Sequence, residues 1–217
     1  MITAFIFDFN GTLFPDTAYH NKAWDRFLLN HGIVLSDSEK DTKIHGKSNS
    51  EILRSIFRKN LNKSEIEEMI HQKESIYQKI CLEKGMELAP GAWEFLDFLV
   101  HNRTALTIAT ASGRENVEFF FKHLPLENWF DPDLVVFDDG NTRSKPYPDK
   151  FLKAMDLLGA VPENTAIAED SESGIKAALA AEAGLIYRVT THISKTGNPK
   201  ILPIIDFNNI DKTPFLV

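Results

Sequence analysis

The sequence holds a single cysteine, Cys81, in 217 residues. One thiol cannot close an intramolecular disulfide, and it excludes zinc sites built on several cysteines. Long apolar runs are missing too: none approaches the roughly 20 residues that a membrane-crossing helix needs. No membrane partner is therefore expected. The start, MITAFIFDFN, has no basic stretch and meets Asp8 early, unlike a secretory leader. These absences point to a reducing, cytoplasmic setting. Positive charge is in deficit, with 24 Lys and Arg against 31 Asp and Glu and a formal net charge of −7. Affinity for nucleic acid comes largely from Lys and Arg neutralising phosphates, so nucleic acid is not an expected partner. A small anion remains possible where a metal ion or a local cation compensates.

What is present reads as an ordinary globular chain, 43% hydrophobic and 25% charged. Its length allows one or two domains at roughly 100–200 residues each. Residues 2–7 (ITAFIF) form a short β-favouring apolar run that ends at Asp8, with Gly11 just beyond. Residues 15–86 carry helix signals almost exclusively. Trp24, Phe27 and Leu28 share one face, and Ile66, Met69, Ile70, Tyr77, Ile80 and Cys81 follow a longer stripe. The pairs Ser36…Glu39, Ser48…Glu51 and Ser64…Glu67 match capping boxes, in which an N-cap side chain and a carboxylate three residues on satisfy each other's backbone N–H groups.

From residue 87 the pattern alternates. Helices are predicted after Pro90-Gly91, after Ser112 (paired with Glu115 as a cap), over 148–158 and over 171–181. Strands are predicted at 105–109, 134–137, 165–168 and 184–189, and an edge strand at 203–206. Alternation of this kind implies a parallel sheet with helices on both faces. The lone strand at 2–7 must join that sheet. The expectation is an α/β fold: a Rossmann-like parallel sheet core over 1–14 and 87–217, with an inserted α-helical domain over 15–86.

In an open α/β sheet, ligands bind beyond the carboxyl ends of the strands. This sequence places Asp8-Phe9-Asn10-Gly11-Thr12, Thr110-Ala111-Ser112, Ser144-Lys145-Pro146 and Glu169-Asp170-Ser171 there. A lone Asp at a strand end commonly caps a turn, and a lone lysine commonly sits on the surface. The set of three carboxylates is different, since like charges gathered at one edge repel unless a cation lies among them. Oxygen ligands of this kind suit Mg²⁺.

FIFDFNGTL, Thr110, Lys145 and Glu169-Asp170 resemble, in order, the four motifs of the haloacid dehalogenase-like (HAD) hydrolase superfamily. DTAYHNKAW (16–24), SKPYPD (144–149) and AEDSESGIKA (168–177) look most like β-phosphoglucomutase and related sugar-phosphate phosphatases. The resemblance implies a helical cap after the first strand and an aspartyl-phosphate formed on Asp8. It implies Mg²⁺ held by Asp8, the backbone carbonyl of Asn10 and Asp170, with Glu169 close by. Thr110 and Lys145 would bind phosphoryl oxygens, and backbone N–H groups around Phe9, Gly11 and Ala111, with Ser112 beside them, would complete the phosphate cradle. His20, Lys47, Asn49 and Lys73 would meet the rest of the substrate.

Two positions depart from the family pattern. Asn10 replaces the usual second Asp, which passes protons to and from the reacting oxygens; an amide cannot do that. Asn49, in HGKSNSEIL (45–53), stands where the mutases carry an arginine for a second phosphate. The expected function is a Mg²⁺-dependent phosphatase, acting as a monomer on a small phosphorylated metabolite such as a sugar phosphate. The alternatives are a phosphometabolite-binding sensor with little turnover and a β-phosphoglucomutase-like phosphotransferase.

Overall fold

The chain runs β1 (Ala4–Phe7), α1 (Thr17–Leu29), α2 (Asp37–Lys43), α3 (Asn49–Phe57), α4 (Lys63–Lys84), α5 (Ala92–His101), β2 (Ala105–Gly113), α6 (Arg114–His123), β3 (Val136–Asp138), α7 (Asp149–Leu158), β4 (Thr165–Glu169), α8 (Glu172–Ala180), β5 (Leu185–Val189) and β6 (Ile201–Ile204). The structure is a computed structural model and describes residues 1–44, 47–57, 61–194, 196–208 and 210–216. It divides into two units, one of Met1–Pro15 with Glu87–Val217 and one of Asp16–Met86.

The first unit is built on a six-stranded sheet in the order β3-β2-β1-β4-β5-β6, parallel at every pairing. β1 and β4 are buried at every residue, as central parallel strands covered on both faces must be. The alternation along β1 divides the core. Ile6 packs with Ala109, Ile167 and Ile186 against Phe151 and Met155 of α7 and Ile175 of α8. Phe5 and Phe7 point the other way. They stack on each other at 4.2 Å and meet Phe95 of α5 edge-on at 5.4 and 6.4 Å. Phe207 and Phe215 of the C-terminal segment close this aromatic layer. The tail is thus part of the core, and its strand lies at Ile201–Ile204 rather than at 203–206.

Other boundaries shift for local reasons. Leu134 belongs to a short 3₁₀ turn (Pro132–Leu134) whose N-cap Asp131 accepts from the Asp133 N–H, so β3 begins at Val136. β2 continues to Gly113, which takes the N-cap position of α6 in extended backbone. Ser112 therefore does not cap α6, and its hydroxyl is used elsewhere. The peptide bond between Lys145 and Pro146 is cis.

The second unit is a helical assembly around Trp24, Phe27, Leu28, Ile44, Ile52, Leu53 and Ile66. The boxes at Ser36/Glu39 and Ser48/Glu51 form, each with both backbone bonds made. The third is Asn62/Glu65 rather than Ser64/Glu67, so α4 starts earlier than the serine suggests; Asn is as good an N-cap as Ser. Among the described residues no helix is long and apolar enough to cross a membrane.

Gly91 joins the tail to the core. Its φ is +75°, and a Cβ there would collide with the backbone of Phe207 and Asn208. Phe207 also donates its N–H to the Pro90 carbonyl at 2.9 Å. Gly140 shares the left-handed conformation but has open space around it. Gly140→Ala should therefore lose only the conformational preference, about 1–2 kcal/mol. Gly91→Ala adds a steric term of about 1–3 kcal/mol, as overpacked cores do. Urea denaturation of both variants checks this, and equal losses would contradict the packing account.

Candidate active site

The strand order reverses direction between β1 and β4, the place where such sheets open a crevice. Phe7 pairs with Ala168 on one side and with Ile108 on the other. The Asp8 N–H extends the ladder to the Ala168 carbonyl at 3.0 Å. This register sets Asp8 level with Glu169 at the end of β4, with Thr110 just beyond on β2. After Asp8 the chain folds back. Phe9 buries its ring against Phe120 at 4.4 Å, and its carbonyl accepts from the N–H groups of Thr12 and Phe14. Gly11 makes the turn at φ +81°. The Gly11 N–H donates to the Phe14 carbonyl at 2.7 Å, so the loop itself uses a donor that the sequence reading assigns to a phosphate.

Lys145 reaches this edge from the loop before α7. Its ammonium donates to Asp8 Oδ1 and to Glu169 Oε1, each at 2.5 Å, with all three side chains buried. Burial alone would lower the lysine pKa, but the Asp8 and Glu169 carboxylates reverse that and hold it above its usual value. The other Glu169 oxygen accepts from the Ser171 N–H at 2.6 Å and the Ser171 hydroxyl at 3.0 Å. Ser171 also N-caps α8 through the Gly174 N–H. Gly174 is glycine for a reason, since a Cβ there would strike the Glu169 carboxylate. Asp170 Oδ1 accepts from the Thr12 hydroxyl at 3.4 Å. Thr12, Ser171 and Gly174 are supports that sequence reasoning missed, although all three lie inside the quoted motifs.

Asp8, Glu169 and Asp170 each offer an oxygen within 4.8 Å of the others. One ammonium offsets only part of that charge. A cluster of hard carboxylate oxygens with negative charge to spare fits a divalent cation such as Mg²⁺.

Asn10 faces the end of β2. Its Oδ1 accepts from the Ser112 hydroxyl at 2.7 Å and lies 3.4 Å from the Thr110 hydroxyl. Thr110 Oγ1 in turn accepts from the Ser112 N–H at 3.0 Å. Ala111 sits between these two residues in β2. Asp8, Asn10, Thr110, Ser112, Lys145, Glu169 and Asp170 thus gather at one sheet edge.

His20, Asn49 and Lys73 belong to the helical unit and form a cluster within it. Lys73, only 1% exposed, donates to Glu74 Oε1 at 2.9 Å and to His20 Nδ1 at 3.0 Å. It also lies over the rings of Trp24 and Tyr77 at 5.1 and 5.2 Å. With Nδ1 accepting, the His20 proton sits on Nε2, 3.4 Å from Asp16 Oδ2. The imidazole stacks on Tyr77 at 3.9 Å, and the Tyr77 hydroxyl donates to the buried Asp16. Burial first, and then the Asp16 charge, push the Tyr77 phenol well above its usual range. Asn49 donates its amide to Glu74 Oε1 at 2.6 Å. Lys47 lies apart from this chain of contacts, its ammonium bonded to the Thr42 carbonyl at 2.6 Å. Residues 45 and 46 of the same segment lie outside the described residues. Asp16 and Glu74 are the members that sequence reasoning missed. The signal was there for Glu74, because residues 73 and 74 fall on the buried stripe of α4 between Ile70 and Tyr77.

Comparison with known proteins agrees with this geometry. The chain is 28% identical over 190 residues to a phosphorylated carbohydrates phosphatase of Thermotoga maritima, covering 86% of this chain and 84% of that one. It is 29% identical over 180 residues to a β-phosphoglucomutase of Bacillus subtilis, covering 80% and 77%. A crystal structure of a HAD hydrolase, family IA, variant 3, from Entamoeba histolytica superposes with a TM-score of 0.87 at 30% identity, covering 99% of this chain and 98% of that one. The model of the haloacid dehalogenase-like hydrolases matches residues 5–187, from the first strand to the fifth. A match that spans the whole sheet edge and everything between its motifs means that the chain belongs to the haloacid dehalogenase-like hydrolase family.

Proposed function

We propose that this hydrolase is a Mg²⁺-dependent phosphatase for small phosphomonoesters, with a sugar phosphate as the favoured substrate. The observation that carries the reading is the buried Lys145 bridging Asp8 and Glu169, with Asp170 in reach of the same point. The relatives named as a phosphorylated carbohydrates phosphatase and a β-phosphoglucomutase support the substrate class. The helical unit serves as the cap in this reading.

Asp8 is the nucleophile: its oxygen attacks phosphorus and forms an aspartyl-phosphate, and water then releases phosphate. Lys145 donates to the Asp8 carboxylate and offers positive charge to the phosphoryl oxygens. Thr110 and Ser112 orient Asn10 and line the phosphate side of the site. Asp8, Asp170 and the Asn10 backbone carbonyl would hold Mg²⁺, with Glu169 beside them. When bound, the ion screens the anionic nucleophile from the anionic phosphate.

The missing acid at position 10 reduces efficiency. General acid–base catalysis contributes roughly 10²–10⁴-fold, and the Asn10 amide supplies none of it. His20 is a poor substitute, since Lys73 and Asp16 take both of its ring nitrogens. The same cluster argues against a mutase. Asn49 is committed to the Glu74 carboxylate, and an amide paired with an anion gives a second phosphate no guanidinium to hold it.

Two measurements test this reading. Phosphate release from p-nitrophenyl phosphate should require Mg²⁺ and vanish in Asp8→Asn, while Asn10→Asp should raise turnover by about 10²–10⁴-fold, the size of the missing acid–base term. Release that persists in Asp8→Asn excludes the aspartyl-phosphate route, and unchanged turnover in Asn10→Asp excludes the proton argument.

The second concerns charge balance. Removing one partner from a buried ion pair costs about 3–5 kcal/mol, so Lys145→Met should lower the urea midpoint markedly. Mg²⁺ should restore more stability to this variant than it adds to the wild type, because the ion takes over the charge that the lysine supplied. Equal Mg²⁺ effects on the two proteins would show that cation and lysine do not share one carboxylate cluster.

A further inference from the structure

The two halves of an aspartyl-phosphate reaction make different proton demands, and this site meets one of them better than the other. In the first half, an Asp8 oxygen bonds to phosphorus and the bond from phosphorus to the leaving oxygen breaks. An alkyl ester then releases an alkoxide, which needs a proton. An acyl phosphate, the mixed anhydride of a carboxylic acid and phosphate, releases a carboxylate. Its conjugate acid has a pKa of about 4, near that of an aspartate or glutamate side chain, so it leaves with its electron pair and needs no proton. In the second half, a water oxygen bonds to phosphorus and the Asp8–O–P bond breaks to regenerate the carboxylate. That water must give up a proton as it attacks.

Asn10 is the group at the sheet edge that stands where the proton carrier is missing. Its Oδ1 already receives the Ser112 and Thr110 hydroxyls. A carboxamide held this way can hydrogen-bond, but it has no proton to deliver and no basic site to receive one. The Lys145 ammonium is already committed as a donor to both Asp8 and Glu169. His20 has both ring nitrogens engaged in the helical unit. The groups needed for the charge side of the first half are all in place. Asp8 is 5% exposed and Lys145 is 4% exposed, so this charge pair is buried.

We propose that acyl phosphates charge Asp8 readily and that the resulting aspartyl-phosphate persists, so that the chain holds a phosphoryl group as a record of acyl-phosphate supply rather than turning it over. This rests on the aspartyl-phosphate reading of Asp8 and adds a phosphoryl donor of another class, the acyl phosphates, to it. Charging and discharge are separated by the same proton-transfer term, so discharge should be slower by about 10²–10⁴-fold than in a chain with aspartate at position 10.

The test incubates the whole protein with acetyl phosphate and Mg²⁺, removes both by rapid desalting, and follows the intact mass over time. Wild type should carry one added phosphoryl group, mapped to Asp8 and released by hydroxylamine. Asn10→Asp should lose that group about 10²–10⁴-fold faster, and Asp8→Asn should never acquire it. An alkyl phosphate such as glycerol phosphate should charge the wild type far more slowly than acetyl phosphate does. Circular dichroism of each variant guards against loss of folding. If wild type turns over acetyl phosphate in an Asp8-dependent way without accumulating the phosphoryl group, the proposal is overturned and the phosphatase reading stands. If neither wild type nor Asn10→Asp is labelled or releases phosphate from acetyl or p-nitrophenyl phosphate, the phosphatase reading itself falls.

Discussion

The site depends on one buried cation. Asp8 and Glu169 end adjacent parallel strands, and Asp170 follows at once, so the sheet order alone forces three carboxylates together. Such a group repels itself. Lys145 offsets part of that repulsion by placing its ammonium between Asp8 and Glu169. The interaction also ties three stretches of sequence that are distant in the chain: the end of β1, the loop before α7 and the end of β4. Ser171 and Gly174 extend the same logic, one holding the second Glu169 oxygen and the other leaving room for the carboxylate.

Much of this was legible in the sequence, and the reason differs by element. β1, β4 and β5 are short apolar runs bounded by turn residues, and that is the signature of strands buried on both faces. What the run could not show was which face each residue takes: Ile6 packs against α7 and α8, whereas Phe5 and Phe7 join the aromatic layer, yet all three look alike in hydropathy. The tail was harder still. Phe207 and Phe215 lie among turn-forming residues without periodicity, so nothing local told of their burial. At the site, Asp8, Lys145, Glu169 and Asp170 were recognisable because chemistry restricts those positions to few residue types. Asp16 was not, because a charged residue beside a helix reads by default as part of a solvated face; Glu74 was passed over for the same default although it lies on the buried stripe of α4.

The two amides, Asn10 and Asn49, are each held by hydrogen bonds. Asn10 accepts from hydroxyls, and Asn49 donates to a carboxylate. In neither place does the side chain itself carry a charge. The helical cluster shows the cost of the alternative. Buried Lys73 needs Glu74, His20 and two aromatic faces around it, in keeping with the high desolvation penalty of an unpaired ammonium.

Charge balance and proton transfer are therefore separable in this fold. Lys145 answers for charge by donating to Asp8 and Glu169. Ser112 and Thr110 give hydroxyl hydrogens, which an amide oxygen and a carboxylate oxygen accept equally well. Those two bonds would form with an acid at position 10 as they do with Asn10. The two hydroxyl contacts at position 10 are therefore as open to an amide as to an acid. What an amide there gives up is the ability to carry a proton.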